Sequence, residues 1–390
     1  MDEVEEVKRS LRNPIEIERL KKIASSKKNI LIILSDYTRA APNDRMIPPL
    51  LEELESAGCK AENITALVAN GLHKPLPRSE LEEFYGEVSN LVELVNHDAE
   101  DDEQLVYLGR TSFGTKLWVN KLVVDYDLVI ATGLIEPHLF AGYSGGRKSI
   151  LPGVAGRESI CQNHGFKMIS HPKARSSIIE GNPIHEDMVE AAKTAGLDYI
   201  LNVIVSRNGR VSRAVAGDPY KAHIAGVKLL EGKVKVKVPS GADIIITSNG
   251  GYPLDRDLYQ AVKGISTGEA IVKRGGVIII LSECIDGIGR GHEEFYKLMA
   301  ESESPEEVLE RIKRNEPIKD QWEAHILART LKVANVIVVT KNIKHSLLED
   351  MHLIPASNVE EALDISFRLV GAESKIAAIP DGPYVIPYCQ

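Results

Sequence analysis

Three short apolar runs, residues 30–34, 64–68 and 128–131, each stop abruptly in a loop of polar and glycine residues. Runs of that length, bounded by turn chemistry, read as strands buried on both faces. Helical patterns at 44–57 and 77–85 lie among them, and 92–95 reads as a further strand. Strands alternating with helices predict an α/β fold with a largely parallel sheet and helices on both faces. In such sheets ligands bind beyond the carboxyl ends of the strands. Three loops are therefore candidates: Asp36-Tyr37-Thr38-Arg39, Asn70-Gly71-Leu72-His73-Lys74-Pro75, and the stretch 133–166, where seven glycines accompany His138, Lys148 and His164.

The rest of the chain extends the pattern. Residues 4–26 are helical in pattern but broken at Asn13-Pro14, where a second helix is expected to start. A helix near 185–195, a strand at 199–206 and a turn at Asn208-Gly209 predict a hairpin there, followed by a helix at 219–231. The alternating Lys/Val of 233–238 reads as an edge strand or a crossing between domains. A fresh α/β pattern starts at Ala242, with strands at 243–247, 276–282 and 334–339. The expected division is a catalytic, cofactor-binding α/β domain over 1–234 and a second α/β domain over 235–375. A tail, 376–390, is expected to return to the first.

Composition removes several function classes. The net charge is −9 with no basic stretch to offset it, which argues against a nucleic-acid surface. Cys59, Cys161, Cys284 and Cys389 are scattered without a CxxC, against structural zinc or a disulfide framework and in keeping with a reducing cytoplasm. The opening MDEVEEVKRS is unlike a signal peptide, and no apolar run approaches the roughly 18 residues of a membrane helix. A cytoplasmic location without membrane contact is expected.

Two glycine motifs invite nucleotide readings. Gly142 to Ser149 has the spacing of GxxxxGK[ST], but Arg147 stands where the second glycine belongs. A P-loop phosphotransferase is therefore disfavoured, although phosphate contact by backbone amides stays open. Asp286 to His292 gives GxGxG with His292 in the third glycine's place, which weakens a nicotinamide-dependent oxidoreductase and favours a glycine turn opening a helix. Seven of the eleven histidines (His97, His171, His185, His223, His325, His345, His352) have no strong local setting and read as surface, cap or core residues. His73 and His138 stand in loops after strands, and nothing supplies HxH or HExxH. Tyr259, Gln260 and Lys263 lie within one helical turn of each other, an amide and an ammonium suited to a small carboxylate. Trp322 either walls a pocket or simply packs.

Together these segments resemble the nickel-dependent lactate racemase family over nearly the whole chain. The ordered motifs are SDYTRAAP at 35–42, GLHKP at 71–75, NHDA at 96–99, TSFGT at 111–115 and GLIEPHLFAGYSGGRKSILPG at 133–153. NH at 163–164, GGYPLDRDLYQAVKG at 250–264 and DQW at 320–322 complete them. Family members usually carry residues ahead of the helix that opens this chain, so one or two N-terminal strands are expected to be missing.

The resemblance implies a two-domain α/β enzyme with an interdomain active-site cleft and a nickel-pincer nucleotide, a nicotinate-derived mononucleotide bearing thioamide and thiocarboxylate sulfurs. Lys148 matches the lysine that holds this cofactor covalently, and His164 the protein's nickel ligand. One imidazole beside two sulfurs and a carbon donor in a plane suits Ni(II). His73 and His138 match the acid–base pair. Asp36, Thr38 and Arg39 match the loop near cofactor and substrate, while Tyr259, Gln260, Lys263 and Trp322 match residues supplied by the other domain. Tyr259 is thereby expected on the cofactor, and Arg39, Gln260, Lys263 and Trp322 on the substrate. The implied partners are a small 2-hydroxycarboxylate and the enzymes that build the cofactor.

The implied chemistry is coherent. Taking a proton from C2 of a 2-hydroxycarboxylate sets a carbanion beside an anion, whereas moving that hydrogen as hydride through a 2-oxo acid avoids this. Racemisation runs from both enantiomers, so two bases are needed, and imidazole suits both roles at neutral pH. Lactate, malate, aromatic and sugar-acid substrates all stay open, with Phe140 a candidate for setting substrate size.

Overall fold

The computed structural model describes residues 2–39 and 41–389, which form two compact units. The first comprises Met1–Glu136, Ala141–Asn163 and Ile178–Lys233, the second Pro137–Phe140, His164–Ser177 and Val234–Gln390.

The first unit is built on a six-stranded sheet. In spatial order the strands are Val211–Gly217, Tyr199–Val205, Leu128–Leu134, Ile30–Ser35, Ile64–Ala69 and Glu93–Asn96. All neighbours are parallel except the first pair, an antiparallel hairpin closed at Gly209 (φ 75°). Ile30 to Leu34 are each 0% exposed, so both faces of the central strand are covered. Ile30, Ile32 and Leu34 share a core with Met46, Ile47, Leu50 and Leu54 of the helix Asn43–Glu55. Leu31 and Ile33 point to the opposite face, as strand geometry requires. Each such side chain contributes about 1.5–3 kcal/mol relative to exposure.

The chain runs outward from Ile30–Ser35 through Ile64–Ala69 to Glu93–Asn96, then returns to the other side of the first strand at Leu128–Leu134. The order reverses between Ile30–Ser35 and Leu128–Leu134, so the loops leaving those two strands border the crevice where ligands bind in such sheets. Asp36 and Glu136 lie on those loops.

The N-terminus departs from expectation. The first helix, Glu3–Arg12, is capped by Asp2, whose carboxylate accepts from the Val4 and Glu5 amides. The second starts at Leu20 and not at Pro14. The reason is that Ile15 is already engaged: its amide donates to Ala216 O (2.9 Å) and its carbonyl accepts from Asp218 N (3.0 Å). Gly217 allows this contact, with φ 134° and a hypothetical Cβ only 2.4 Å from Ile15 O. Gly217→Ala is expected to lose about 2–4 kcal/mol from strain and overpacking, read as a lower urea midpoint at unchanged slope.

The second unit carries a five-stranded, all-parallel sheet. Its order is Ile354–Ala356, Asn335–Val339, Val272–Leu281, Ala242–Ser248 and Ile376–Ile379. Two domain expectations are corrected here. The tail does not leave this unit: Ile376–Ile379 is the sheet's edge strand, and Ile386–Tyr388 pairs in parallel with Lys235–Lys237, satisfying that exposed strand's open edge. Residues 137–140 and 164–177 also belong here and not to the first unit. Their aromatic rings explain it, since His164 packs on Trp322 and Phe166 on His325. Among the described residues no helix is long and apolar enough to cross a membrane.

Candidate active site

In the first unit, Asp36 is the residue immediately after the strand Ile30–Ser35 and is 3% exposed. Its Oδ2 lies 2.6 Å from His73 Nδ1, and Thr38 Oγ1 donates to its Oδ1 at 2.8 Å. A carboxylate only accepts, so the proton of the neutral imidazole sits on Nδ1 and the lone pair on Nε2. The His73 side chain is 34% exposed, so that lone pair can be reached by a small molecule. Asp36 and Thr38, expected near cofactor and substrate, thus hold the His73 ring.

The His73 loop is tied to the Lys148 loop. Gly71 N donates to Gly153 O (2.9 Å), and His73 N closes its turn onto Asn70 O (2.9 Å). At Gly71 (φ 53°) a Cβ would already touch Pro152 O at 3.4 Å. Arg39 Nη1 donates to Glu136 Oε1 at 2.7 Å, joining the two loops at the sheet's switch point. Sequence reasoning missed Glu136, because a lone acid beside a proline carries no local signal.

Lys148 sits half-buried on the single 3-10 turn Gly146–Ser149. The turn is held from below by Arg147, which is 3% exposed, donates to Ala141 O (2.9 Å) and Gly145 O (3.1 Å), and lies 2.9 Å from His223 Nε2, itself 2.8 Å from Ser144 O. Burial lowers the Arg147 pKa to about 9, which still leaves it a cation at neutral pH. Burial and then that cation lower His223 to about 3, so its imidazole stays neutral. Gly146 N donates to Asn202 Oδ1 (2.8 Å), and the amides of Lys148, Ile150 and Leu151 bond to carbonyls within the loop. Those amides are unavailable to phosphate, and Arg147 is a strut for the turn. The P-loop spacing therefore has no P-loop geometry.

In the second unit the other candidates form a run of ring contacts. His138 meets Phe140 edge-on (4.6 Å between centroids), Phe140 meets His164 (4.9 Å), and His164 meets Trp322 (5.1 Å). Trp322 Nε1 donates to the Tyr259 hydroxyl at 2.8 Å. Tyr259 is pushed well above an ordinary tyrosine pKa, first by burial and then by the Asp320 and Glu323 carboxylates, so it stays a neutral phenol. Lys263 Nζ donates to Gln260 Oε1 (2.6 Å), which leaves the Gln260 amide hydrogens to point elsewhere. Asp257 caps this helix, Leu258–Glu269, by accepting from Gln260 N (2.7 Å). Glu323, adjacent to Trp322, is raised to about 8: burial dominates, Lys263 opposes it, and Asp320 and Asp257 add to it.

The eleven expected site residues therefore fall into two groups. Asp36, Thr38, Arg39, His73 and Lys148 belong to the first unit, and His138, His164, Tyr259, Gln260, Lys263 and Trp322 to the second. Of the histidines set aside from sequence, His97, His185, His223 and His325 are buried, in keeping with a core role.

The donor set decides which cofactor chemistry fits. Among the described residues no group of three or more His, Cys, Asp or Glu side chains comes together to hold a metal ion. A metal carried by an organic cofactor's own donors, and needing one imidazole from the chain, does fit. His164 is such an imidazole, 4% exposed and flanked edge-on by Phe140 and Trp322, and Lys148 is an amine on a braced turn.

Comparison with known proteins gives a consistent set of matches. The family profile described as the lactate racemase N-terminal domain matches residues 1–177, and that of the lactate racemase C-terminal domain matches 237–387. A lactate racemase of Thermoanaerobacterium thermosaccharolyticum is 46% identical over 99% of this chain and 91% of its own length. One from Lactiplantibacillus plantarum is 41% identical with the same coverage. The solved lactate racemase apoprotein of T. thermosaccharolyticum superposes with a TM-score of 0.95 at 44% identity, over 99% of this chain and 93% of that one. A Thermotoga maritima crystal structure shares the fold alone, with TM-score 0.74 and 19% identity over 99% of this chain and 98% of that one.

Proposed function

The chain belongs to the lactate racemase family, and from that premise we propose that it is an isomerase interconverting the enantiomers of lactate or a close 2-hydroxy acid. The observation that carries this reading is the Asp36–His73 pair, a reachable imidazole whose accepting nitrogen is fixed by a buried carboxylate. The proposed cofactor is a nickel-pincer nucleotide, which Lys148 would hold covalently and whose metal His164 would hold. When bound, it would supply the acceptor and donor for the C2 hydrogen as hydride.

The chain's own work is proton transfer and positioning. His73 Nε2 takes the hydroxyl proton from one enantiomer and returns it, while Asp36 stabilises the imidazolium that forms meanwhile. His138 does the same for the other enantiomer, whose hydroxyl is presented differently. Arg39, Lys263 and the Gln260 amide hold the substrate carboxylate, fixing C1 while the 2-oxo carbonyl turns. Because Arg39 already bonds Glu136, the substrate carboxylate shares or displaces that contact. Phe140 and Trp322 keep water from the His164 ring, and Phe140 limits the substrate's third substituent. The enzymes that make the cofactor are the maturation partners.

The test is co-expression with those enzymes, then incubation of the purified protein with each lactate enantiomer, alongside malate and larger 2-hydroxy acids. Chiral chromatography is expected to show lactate approaching a racemate from both sides, with nickel near one per chain. Loaded protein that converts none of these acids ends the proposal. Asp36→Asn presents an amide to His73 and favours the wrong tautomer, so kcat is expected to fall about 10²- to 10⁴-fold, the range of lost general-base assistance.

A further inference from the structure

The glycine run Asp286 to His292 does not carry the third glycine of a dinucleotide loop. The carbonyls of Gly287 and Ile288 accept from the Leu258 and Tyr259 amides (3.0 Å each), so the loop covers the N-terminus of the helix Leu258–Glu269. The loop ends instead by laying the His292 ring flat on Tyr259, with centroids 3.6 Å apart and planes at 5°. Gly289 (φ 131°) is needed there, because a Cβ would fall 2.9 Å from His292 Cδ2 and 3.3 Å from Tyr259 Cβ.

The other edge of the His292 ring is held as well. Its Nδ1 lies 2.9 Å from Asp320 Oδ2, with the two side chains 14% and 2% exposed. Asp320 adopts left-handed backbone (φ 65°) immediately before the helix Gln321–Leu331, which carries Trp322. Trp322 in turn donates to the Tyr259 hydroxyl and meets the His164 ring edge-on. The contacts thus close a circuit from Asp320 through His292, Tyr259 and Trp322 back to the helix Asp320 precedes, with His164 on its open side.

We propose that His292 and Asp320 are positioning residues that clamp Tyr259, and through its hydroxyl fix the Trp322 indole against His164. The proposal rests on the reading of His164 as the cofactor's protein ligand. Partners that orient a metal-bound imidazole typically matter 10- to 100-fold. The clamp itself is a property of the folded chain and is testable before any cofactor is loaded.

Trp118, the other tryptophan, lies in the first unit with its ring on Tyr107, so Trp118→Phe leaves Trp322 as the sole tryptophan and is expected to leave activity unchanged. In that background His292→Ala is expected to red-shift Trp322 emission and raise acrylamide quenching severalfold in the apoprotein, at native far-UV circular dichroism. His292→Phe keeps a flat ring on Tyr259 and is expected to restore most of the quenching protection, and Asp320→Asn to lie between. On loaded enzyme, His292→Ala is expected to lower kcat about 10- to 100-fold with KM within about twofold, and His292→Phe to recover part of that loss. Unchanged Trp322 quenching in a folded His292→Ala protein overturns the clamp, and so does a folded His292→Phe protein quenched as strongly as His292→Ala. Perturbed quenching with unchanged kcat, in a chain whose parent racemises lactate, overturns its role in catalysis. Should the parent fail to racemise lactate, perturbed quenching would still support the clamp while the functional reading fell.

Discussion

Lys148→Ala is expected to fold normally, carry no cofactor adduct and racemise lactate at background rate. Stability should survive because the turn under Lys148 is held by Arg147, Asn202 and His223, none of which relies on the lysine side chain. Activity should not survive, because Lys148 is the proposed covalent hold. Without it the hydride acceptor is absent and the barrier returns toward the uncatalysed one, a loss of at least about 10⁴-fold. Lys148→Arg should fail equally, since a guanidinium keeps the charge but is not a usable nucleophile. Intact mass after co-expression checks the adduct and chiral chromatography the rate. An adduct of undiminished stoichiometry on Lys148→Ala, or a rate within tenfold of the parent, removes Lys148 from its proposed role.

The second large effect separates the two histidines. His73→Ala and His138→Ala are each expected to slow racemisation about 10²- to 10⁴-fold in both directions, because one equilibrium constant ties forward and reverse rates together. The informative experiment is a single turnover on loaded enzyme, quenched in acid. A protein with one base left can still take the hydroxyl proton from one enantiomer. Each variant should therefore release 2-oxo acid from only one enantiomer of lactate, and the two variants from opposite ones. Equal 2-oxo acid from both enantiomers in either variant contradicts a two-base arrangement.

Much of the first unit's architecture was legible in sequence because its strands are buried on both faces. A run such as residues 30–34 can hardly be read otherwise, and the observed strand Ile30–Ser35 differs by one residue. The failures came where long-range contacts decide. Ile15 gave no local sign that Gly217, two hundred residues on, would engage its backbone and delay the next helix to Leu20. The tail 376–390 carried no local sign of which strand edge would receive it. Motifs at strand ends gave the candidate residues, whereas their supports were invisible: Glu136 on Arg39, Arg147 under Lys148, and His292 on Tyr259. His292 is instructive, since its place at the end of a glycine run suggested a failed nucleotide loop. Only the stacking distance shows what the glycines leave room for.

The interleaving of the two units bears on how chimaeras of this family can be made. The polypeptide passes from one unit to the other at 136/137, 140/141, 163/164, 177/178 and 233/234. Splicing two relatives at residue 234 would recombine His138, Phe140 and His164 from one parent with Trp322 and Tyr259 from the other, mixing one ring network across two ancestries. A graft that respects the packing moves 137–140 and 164–177 together with 234–390, and leaves Lys148 with the donor of the first sheet. Inheritance of the ring network thus follows short inserts, and a recombination library cut at the obvious linker would divide rings that pack on one another.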